Sequence, residues 1–208
     1  LARNKTALVG FFIVAFMVVI AVFAPLIAPY DPNAINPVLP FQGIGTPGHL
    51  FGTDDLGRDI LSRIIYGSRI SMIVAVGATI VGAIIGVLIG LTAGYFGGWI
   101  DAVLMRIMDG MFSFPFILLA MILITVLGNG VMNVILSIGI ASVPGFARVT
   151  RGQVLIVKEE EYCNACRVVG VSPVRLLFLH ILPNCVSQII VYATLRIASA
   201  IISEASLS

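Results

Sequence analysis

Long uncharged runs of apolar residues dominate the chain, and short polar segments separate them. The first run covers residues 6–29, the second residues 70–98, and the third residues 110–147. The third run is too long for one helix and is interrupted by Gly-Asn-Gly at residues 128–130, so we expect a helical hairpin there. A further apolar run, which contains a single charged residue, Arg196, lies near residues 181–203. Since an apolar helix of about 20 residues crosses a bilayer, the pattern predicts five membrane spans.

The composition agrees with this pattern. Hydrophobic residues make up 59% of the chain and charged residues 11%, and the mean hydropathy is +1.10. Soluble domains carry about 25% charged residues, so water cannot be the only solvent of this protein. The predicted fold class is an all-α polytopic membrane protein.

The two ends of the sequence bear on the number of membrane spans. A cleaved signal peptide is the alternative for the first run, but its apolar core would have about 7–15 residues. The run is longer than that and ends in Pro25 and Pro29. The sequence starts without Met and stops at Ser208 soon after the fifth run. We therefore expect a fragment of a longer subunit, with a sixth helix missing.

Basic residues predict the orientation, because they accumulate on the cytoplasmic side of a membrane. With the N-terminus in the cytoplasm, three arginines fall outside, namely Arg58, Arg63 and Arg69. A larger basic group falls inside: Arg3, Lys5, Arg106, Arg148, Arg151, Lys158, Arg167 and Arg175. This asymmetry predicts a cytoplasmic N-terminus.

Residues 30–69 form the longest segment on the outer side. Its first part is rich in proline and glycine, which argues against regular structure. In the stretch FGTDDLGRDILSRIIYGSRIS, apolar residues then recur at helical spacing, with Asp54–Arg58 and Asp59–Arg63 as favourable i,i+4 pairs. We predict an amphipathic helix along the outer membrane face, which serves either as a structural collar or as a docking or gating element.

Glycines recur at every fourth position of the second run, at Gly82, Gly86, Gly90 and Gly94. Such a stripe lets a neighbouring helix approach closely in a membrane, where lipid supplies no hydrophobic drive for helix association. We predict tight packing along this stripe; sliding of helices along it is the weaker alternative.

Residues that carry enzyme chemistry are sparse. Neither Lys5 nor Lys158 follows a glycine, as the lysine of a phosphate-binding P-loop does. His49 and His180 are assigned to opposite sides of the membrane, which excludes a shared catalytic or metal site. We expect no catalysis by this chain.

Three cysteines, Cys163, Cys166 and Cys185, fall in the cytoplasmic half, where disulfides are disfavoured. The Cys-x-x-Cys spacing of the first two resembles half of a zinc site. A structural zinc needs four ligands, however, and only His180 lies nearby. We expect free thiols and no bound metal.

The most specific pattern lies between about residues 158 and 183. Residues 158–169 suit a short helix, Gly170 suits its C-terminal stop, and Ser172-Pro173 suits the start of another helix. We predict two short helices that meet at a sharp bend on the cytoplasmic side. That geometry suits a lever that another protein pushes.

This segment resembles the EAA loop of the permease subunits of ATP-binding-cassette importers, EAA-x3-G-x9-I-x-L-P. Asn164-Ala165-Cys166, Gly170 and Leu182-Pro183 match the motif in order and interval. Asn164 stands at the Glu position, Cys166 at the second Ala and His180 at the first Ile.

Other segments resemble the dipeptide, oligopeptide and nickel branch of this family: NKTALVG, GTDDLGRDILSR, AGYFGG, Arg106-x-x-Asp109, HILPN and SEASLS. The resemblance implies the transmembrane domain of a type I (MetI-like) importer in the bacterial plasma (inner) membrane. Residues 1–69 would hold the anchor helix and external segment, and residues 70–208 the core permease domain with its coupling loop at about 158–183.

By this resemblance, the loop docks in a groove of a nucleotide-binding subunit. The residues implied at or near that contact are Glu161, Tyr162, Asn164, Ala165, Cys166, Arg167, Gly170, Val171, Leu182 and Pro183. On the predicted outer helix, independently of the resemblance, the candidates for external docking or gating are Asp54, Arg58, Asp59 and Arg63.

The implied function is alternating-access import of short peptides, with this chain as half of the pathway. The implied partners are a homologous permease, two nucleotide-binding subunits that hold ATP and Mg²⁺, an extracytoplasmic substrate-binding protein and membrane lipid, but no nucleic acid. Nickel, glutathione or another small solute are alternative substrates. A secondary transporter driven by an ion gradient and a structural scaffold are alternative functions, but neither paired intramembrane charges nor an inverted repeat is visible.

Two charged residues are candidates for the pathway. Arg196 follows Asn184 by about 18 Å of helix, which places it inside the hydrocarbon region. It either pairs with another residue such as Glu204 or lines the passage and attracts a peptide carboxylate. Asp109 stands with Arg106 at the cytoplasmic mouth of the third helix, where boundary charges are also expected.

A kink is predicted just after these two residues. Phe114-Pro115 lies in the third run, and proline removes a backbone donor and displaces the preceding turn.

Overall fold

The apolar runs form helices in the computed structural model, which describes residues 5–207, with side chains from residue 12 onwards. Every regular element in that range is helical, which confirms the all-α prediction. The elements are α1 (Lys5–Ile27), α2 (Ile60–Phe96), α3 (Gly98–Phe112), α4 (Phe116–Leu127), α5 (Val131–Val157), α6 (Glu161–Val168), α7 (Pro173–Leu176), a π-helical turn (Leu177–Ile181) and α8 (Leu182–Leu207). The predicted cytoplasmic Arg3 and the Lys5 side chain lie outside the described residues.

Three helical stretches of the described chain are long and apolar enough to cross a membrane: Ile60–Phe96, Val131–Val157 and Pro173–Leu207. The bent pair formed by α3 and α4 makes a fourth if it is counted as one span. The apolar stretch Phe12–Ile27 of α1 is shorter.

The chain divides into two compact units, and the boundary along the sequence falls between Ile73 and Val74 in α2. In the first unit, the loop between α1 and α2 has no helix, as its prolines and glycines predict. Backbone hydrogen bonds nevertheless order it: Asn36 N donates to Leu56 O at 3.1 Å and Phe41 N donates to Asp54 O at 3.0 Å. This pairing satisfies polar backbone groups without a helix or sheet.

The predicted separate amphipathic helix is wrong. Residues 51–59 form turns, and the helix begins at Ile60 and continues without a break to Phe96. Gly52 and Gly57 have φ of +79° and +74°, and an added Cβ would collide with the backbone carbonyl of Gln42 or Asn36. A helix cannot pass through such residues, so only the part after Asp59 is helical.

In the second unit, α5 is the central helix and contacts α3, α4 and α8. It also receives the glycine stripe of α2. A Cβ added at Gly90 would lie 2.5 Å from Ala147 O, and one at Gly94 would lie 2.8 Å from Val154 Cβ. The tight packing predicted from the stripe is therefore confirmed.

The third apolar run departs from the predicted geometry at its start. Instead of one helix from residue 110, α3 ends at Phe112 and α4 begins at Phe116, at 91° to it. The predicted kink at Phe114-Pro115 is a full break, because Pro115 has extended backbone (ψ 134°) and starts a new helix. The predicted turn at residues 128–130 is present, and Asn133 Nδ2 donates to Leu127 O across it at 2.9 Å.

Candidate functional site

The segment from Val157 to Pro183 forms the bend that the sequence predicts, with small boundary differences. Helix α5 continues to Val157, ten residues beyond the end of the uncharged run at residue 147. The ion pairs of Arg148 and Arg151 with α3, described below, let the helix carry these charges. Helix α6 then covers Glu161–Val168, and α7 starts at Pro173.

A Schellman motif ends α6. Gly170 has φ +83°, its N–H donates to Arg167 O at 3.1 Å, and Val171 N–H donates to Cys166 O at 3.0 Å. The left-handed conformation suits glycine, which has no Cβ to clash. The turn reverses the chain, so Ser172 and Pro173 begin α7 directly afterwards.

The inner face of α6 is anchored in a buried apolar cluster. Its members are Leu91, Val154, Val157, Cys163, Leu176, Leu177, Ile181 and Cys185. Cys163 is fully buried, and its thiol donates to Val157 O at 3.3 Å. The cluster joins residues from α2, α5, α6, α7 and α8, so a force applied to the bend reaches several helices together.

The outer face of the bend is apolar and exposed. Val168 is 88% exposed, Val169 82% and Val174 64%. We call these three residues the valine tip. Exposed β-branched residues at the end of a helix add nothing to the internal core, and contiguous exposed apolar residues mark protein or membrane contacts.

The predicted contact residues separate into two groups. Cys166, Val171 and Leu182 are half-buried and pack against the buried cluster. The remainder are exposed: Glu161, Tyr162, Asn164, Ala165, Arg167, Gly170 and Pro183. The sequence prediction missed the valine tip, whose signal was three valines beside the glycine stop where a polar surface is expected.

Hydrogen bonds hold the exposed polar residues in place. Arg167 donates from Nη1 to Asn164 Oδ1 at 2.8 Å and from Nη2 to Lys158 O at 3.2 Å. Asn184 Nδ2 donates to the Tyr162 hydroxyl at 3.1 Å. Partial burial of the hydroxyl, together with the neighbouring Cys163, raises the pKa of Tyr162 to about 12.

Ion pairs fix α3 to α5 beside this segment. Arg151 makes a two-pronged pair with Asp101, at 2.5 Å from Nε and 2.6 Å from Nη2. Arg148 donates to Asp109 at 2.6 Å and lies 4.2 Å above the Phe112 ring. Asp109 is thus paired with α5, while its role in the pathway stays a prediction.

Lys158 joins the end of α2 to the end of α5. Its Nζ donates to Gly94 O at 3.1 Å, near the C-terminus of α2. A cation is favourable there because the last carbonyls of a helix are unpaired and carry negative partial charge.

The four external candidates form two groups in the first unit. Asp54 accepts from Arg58 Nε at 2.7 Å, which confirms that predicted pair, and lies 3.4 Å from Arg63 Nη1. Burial favours a higher pKa for Asp54, but the hydrogen bonds from Arg58 and Leu56 outweigh it and lower the pKa.

The predicted Asp59–Arg63 pair is replaced by a different arrangement. Asp59 accepts from His49 Nδ1 at 2.9 Å and from Ser62 N at 2.8 Å and Ser62 Oγ at 2.7 Å. The pair fails because Asp59 caps the start of α2 and its carboxylate turns back to Ser62, away from Arg63. His49 was not predicted, since nothing in the sequence brings residues 49 and 59 together.

Arg196 lies in α8 with its Nε buried and without a hydrogen bond in the described part of the chain. The guanidinium carbon is 4.5 Å from the centre of the Phe116 ring on α4. The side chain lines a small cavity together with Thr79 of α2 and Ser142 of α5.

Comparison with known proteins shows which families this chain is similar to. Residues 86–208 match a family described as binding-protein-dependent transport system inner membrane component. Residues 1–42 match the N-terminal transmembrane domain of oligopeptide transport permease C.

Individual relatives match almost the whole chain. The glutathione transport system permease protein GsiD of Escherichia coli O6:K15:H31 (strain 536) is 44% identical over 206 residues, covering 99% of this chain and 68% of the relative. The protein of the same name from Shigella flexneri serotype 5b (strain 8401) is 46% identical over the same length, with the same coverage.

Proposed function

The chain belongs to the permease subunits of ATP-binding-cassette importers of the dipeptide, oligopeptide and nickel type, and on that basis we propose that it forms half of an alternating-access pathway for short peptides, glutathione included. It is a multi-pass inner membrane protein and a transport subunit, not an enzyme. A nucleotide-binding subunit supplies the energy, and no bond of the transported solute changes.

The observation that carries this proposal is the bend at Gly170. Its outer face ends in the exposed valine tip, and its inner face is fixed in a cluster drawn from five helices. A surface of this kind receives a mechanical displacement and passes it to the membrane helices. The exposed Glu161, Asn164 and Arg167 of α6 add polar partners for a docking groove.

The substrate class is supported by two comparisons. Relatives at 44–46% identity are named glutathione transport permeases, and residues 1–42 match an oligopeptide permease. Glutathione is itself a tripeptide, so the two names agree on a small solute with peptide bonds and carboxylates. Nickel or another small solute is the alternative within the same importer class.

The assembly follows from the same reasoning. A homologous permease completes the pathway, two nucleotide-binding subunits bind the cytoplasmic bends, and an extracytoplasmic binding protein delivers solute to the opposite face. This arrangement puts the N-terminus in the cytoplasm and gives the loop around Asp54, Arg58, Asp59 and Arg63 a docking role.

Crosslinking tests the central contact. Val169→Cys places a thiol on the valine tip, and Val38→Cys places one in the loop of the first unit; both native side chains are 82% exposed. In a membrane preparation of the assembled importer, the thiol at 169 should crosslink to the nucleotide-binding subunit and the thiol at 38 should not. Crosslinks from 169 to lipid alone would contradict the proposal.

An uptake assay separates this function from ion-driven transport. Cells that express the importer are depleted of ATP while the membrane potential is kept. We expect uptake of labelled glutathione and trialanine to stop. Uptake that persists under these conditions would favour a secondary transporter.

A further inference from the structure

A small cavity within the second unit holds two polar groups that have no partner. Its lining comes from α2, α5 and α8: Ala78, Thr79, Ile138, Ser142, Arg196 and Ala200. The space between these side chains has no room for the centre of a water molecule. Thr79 Oγ1 and Arg196 Nε are buried there, and neither makes a hydrogen bond in the described part of the chain.

Thr79 shares with Thr150 of α5 a buried hydroxyl that makes no hydrogen bond in the described part of the chain, whereas two other helical threonines use theirs within their own helix. Thr92 and Thr125 each donate to the carbonyl four residues earlier, both at 2.9 Å. Thr79 is only 6% exposed and makes no such bond. A buried hydroxyl without a partner is costly, so its hydrogen is available for an acceptor that enters the cavity.

Arg196 presents the second donor. Its guanidinium rests on the Phe116 ring at 4.5 Å, and stacking on an aromatic ring holds a cation in position without using its N–H groups. An intramembrane arginine with an unused buried donor is expensive and usually faces a partner or a water-filled path.

We propose that Thr79 and Arg196 form a subsite for a carboxylate of the transported solute, and that the cavity is closed in this structure. The inference rests on the proposed function. A carboxylate has two acceptor oxygens, which match one donor from Arg196 and one from Thr79. The guanidinium repels a free divalent cation, so the subsite selects peptides with free carboxylates over free nickel ions.

Opening of the subsite requires separation of α2, α5 and α8. The glycine stripe of α2 packs on α5 close to the cavity: a Cβ added at Gly82 would meet Ser142, which lines the cavity. Smooth surfaces of this kind allow small displacements between helices. Movement of α5, whose C-terminal end belongs to the buried cluster at the bend, would thus expose both donors together.

The test compares acids with amides in the reconstituted importer. Liposomes carrying the complete complex and internal ATP receive glutathione or trialanine as free acids, or trialanine amide, which has no carboxylate; glutathione amide is not used because it keeps the α-carboxylate of its glutamyl residue. Arg196→Gln should lower uptake of the free acids about tenfold, and Thr79→Val about threefold, with uptake of trialanine amide unchanged. Arg196→Lys and Thr79→Ser should retain much of the acid uptake.

Thr92→Val is the matched control, because its hydroxyl is used within its own helix. It should leave acid and amide uptake unchanged. Equal losses of acid and amide uptake in Arg196→Gln, or failure of that variant to assemble with the partner permease, would assign Arg196 a structural role and overturn the inference. If the unmodified complex takes up neither tripeptide with ATP, the proposed function itself fails and the inference fails with it.

Discussion

At the scale of single residues, Asp59 shows how one carboxylate orders a loop without regular structure. It accepts hydrogen bonds from His49 and from the Ser62 backbone and hydroxyl, and Ser62 Oγ accepts from Tyr30 N at 3.1 Å. Three distant parts of the loop therefore meet at the first turn of α2. Burial favours a higher pKa for Asp59, but these hydrogen bonds outweigh it and hold the pKa below its ordinary value of 3.8.

This depressed pKa predicts a pH dependence. The stabilisation from Asp59 should be complete above the ordinary pKa and should disappear as the pH falls through the lower pKa of the folded state. Asp59→Asn should lower the free energy of unfolding by about 1–2 kcal/mol at pH 7. Thermal unfolding of the detergent-solubilised subunit between pH 7 and pH 3 measures the difference, which should shrink below about pH 4.

Asp55→Asn is the matched control, since the Asp55 side chain is 64% exposed and lies 3.7 Å from Arg58. Its effect should be within about 0.5 kcal/mol at every pH. An Asp59→Asn effect that stays constant down to pH 3 would show that the charge of Asp59 contributes nothing.

At the scale of helices, the α2–α5 contact could be predicted from the sequence and the start of the third run could not. Spacing alone identifies the glycine stripe, because small residues at every fourth position define one face of a helix. A separate helix α3 was not predicted, because Asp109 was assigned to the cytoplasmic mouth of the third helix. Asp109 and Asp101 pair with Arg148 and Arg151, which lie 39 and 50 residues further along the chain, and local pattern carries no information on such pairs.

Substitution on the glycine stripe tests the packing. In Gly90→Ala the new Cβ would lie 2.5 Å from Ala147 O and 2.7 Å from Thr150 Cβ, so α2 and α5 must separate. We expect a loss of about 1–3 kcal/mol in unfolding free energy. Gly67→Ala on the same helix meets nothing within 4 Å and should be neutral or slightly stabilising. Equal thermal stabilities of the two variants would refute the tight contact.

The two α3–α5 ion pairs should differ in strength. The Arg151 and Asp101 side chains are 33% and 19% exposed, whereas those of Arg148 and Asp109 are 49% and 50% exposed. Double-mutant cycles with Asp→Asn and Arg→Gln should give about 1–2 kcal/mol for the first pair and less than about 0.5 kcal/mol for the second, because solvent screens exposed charges. The reverse order would mean that α3 is held mainly at its C-terminal end.

At the scale of the whole molecule, the sequence predicted the membrane class, the helical runs and the bend at Gly170. These features depend on local composition and on short motifs such as the glycine stop of α6. The valine tip, the His49–Asp59 contact and the Thr79–Arg196 cavity were missed, because each depends on which surfaces face each other after folding. The coupling segment could therefore be located from the sequence, while the part of it that is free to bind could not.

The valine tip supplies the prediction that concerns the whole importer. Replacing Val168, Val169 and Val174 together with Ser removes an exposed apolar surface without touching the buried cluster. The variant should insert, fold and associate with its partner permease normally, since exposed side chains contribute little to internal stability. Loss of the tip should weaken binding of the nucleotide-binding subunit at least tenfold, because about 25 cal/mol is lost per Å² of apolar surface that the contact buries. Solute uptake should fall in proportion.

Co-purification of the subunits and ATP-dependent uptake measure the two effects on the valine tip variant. The control for a general loss of apolar surface is a triple Ser variant at three exposed residues of the first unit, Val38, Phe41 and Ile44. Normal uptake in the Val168, Val169 and Val174 variant would show that coupling runs through the polar residues of α6 instead.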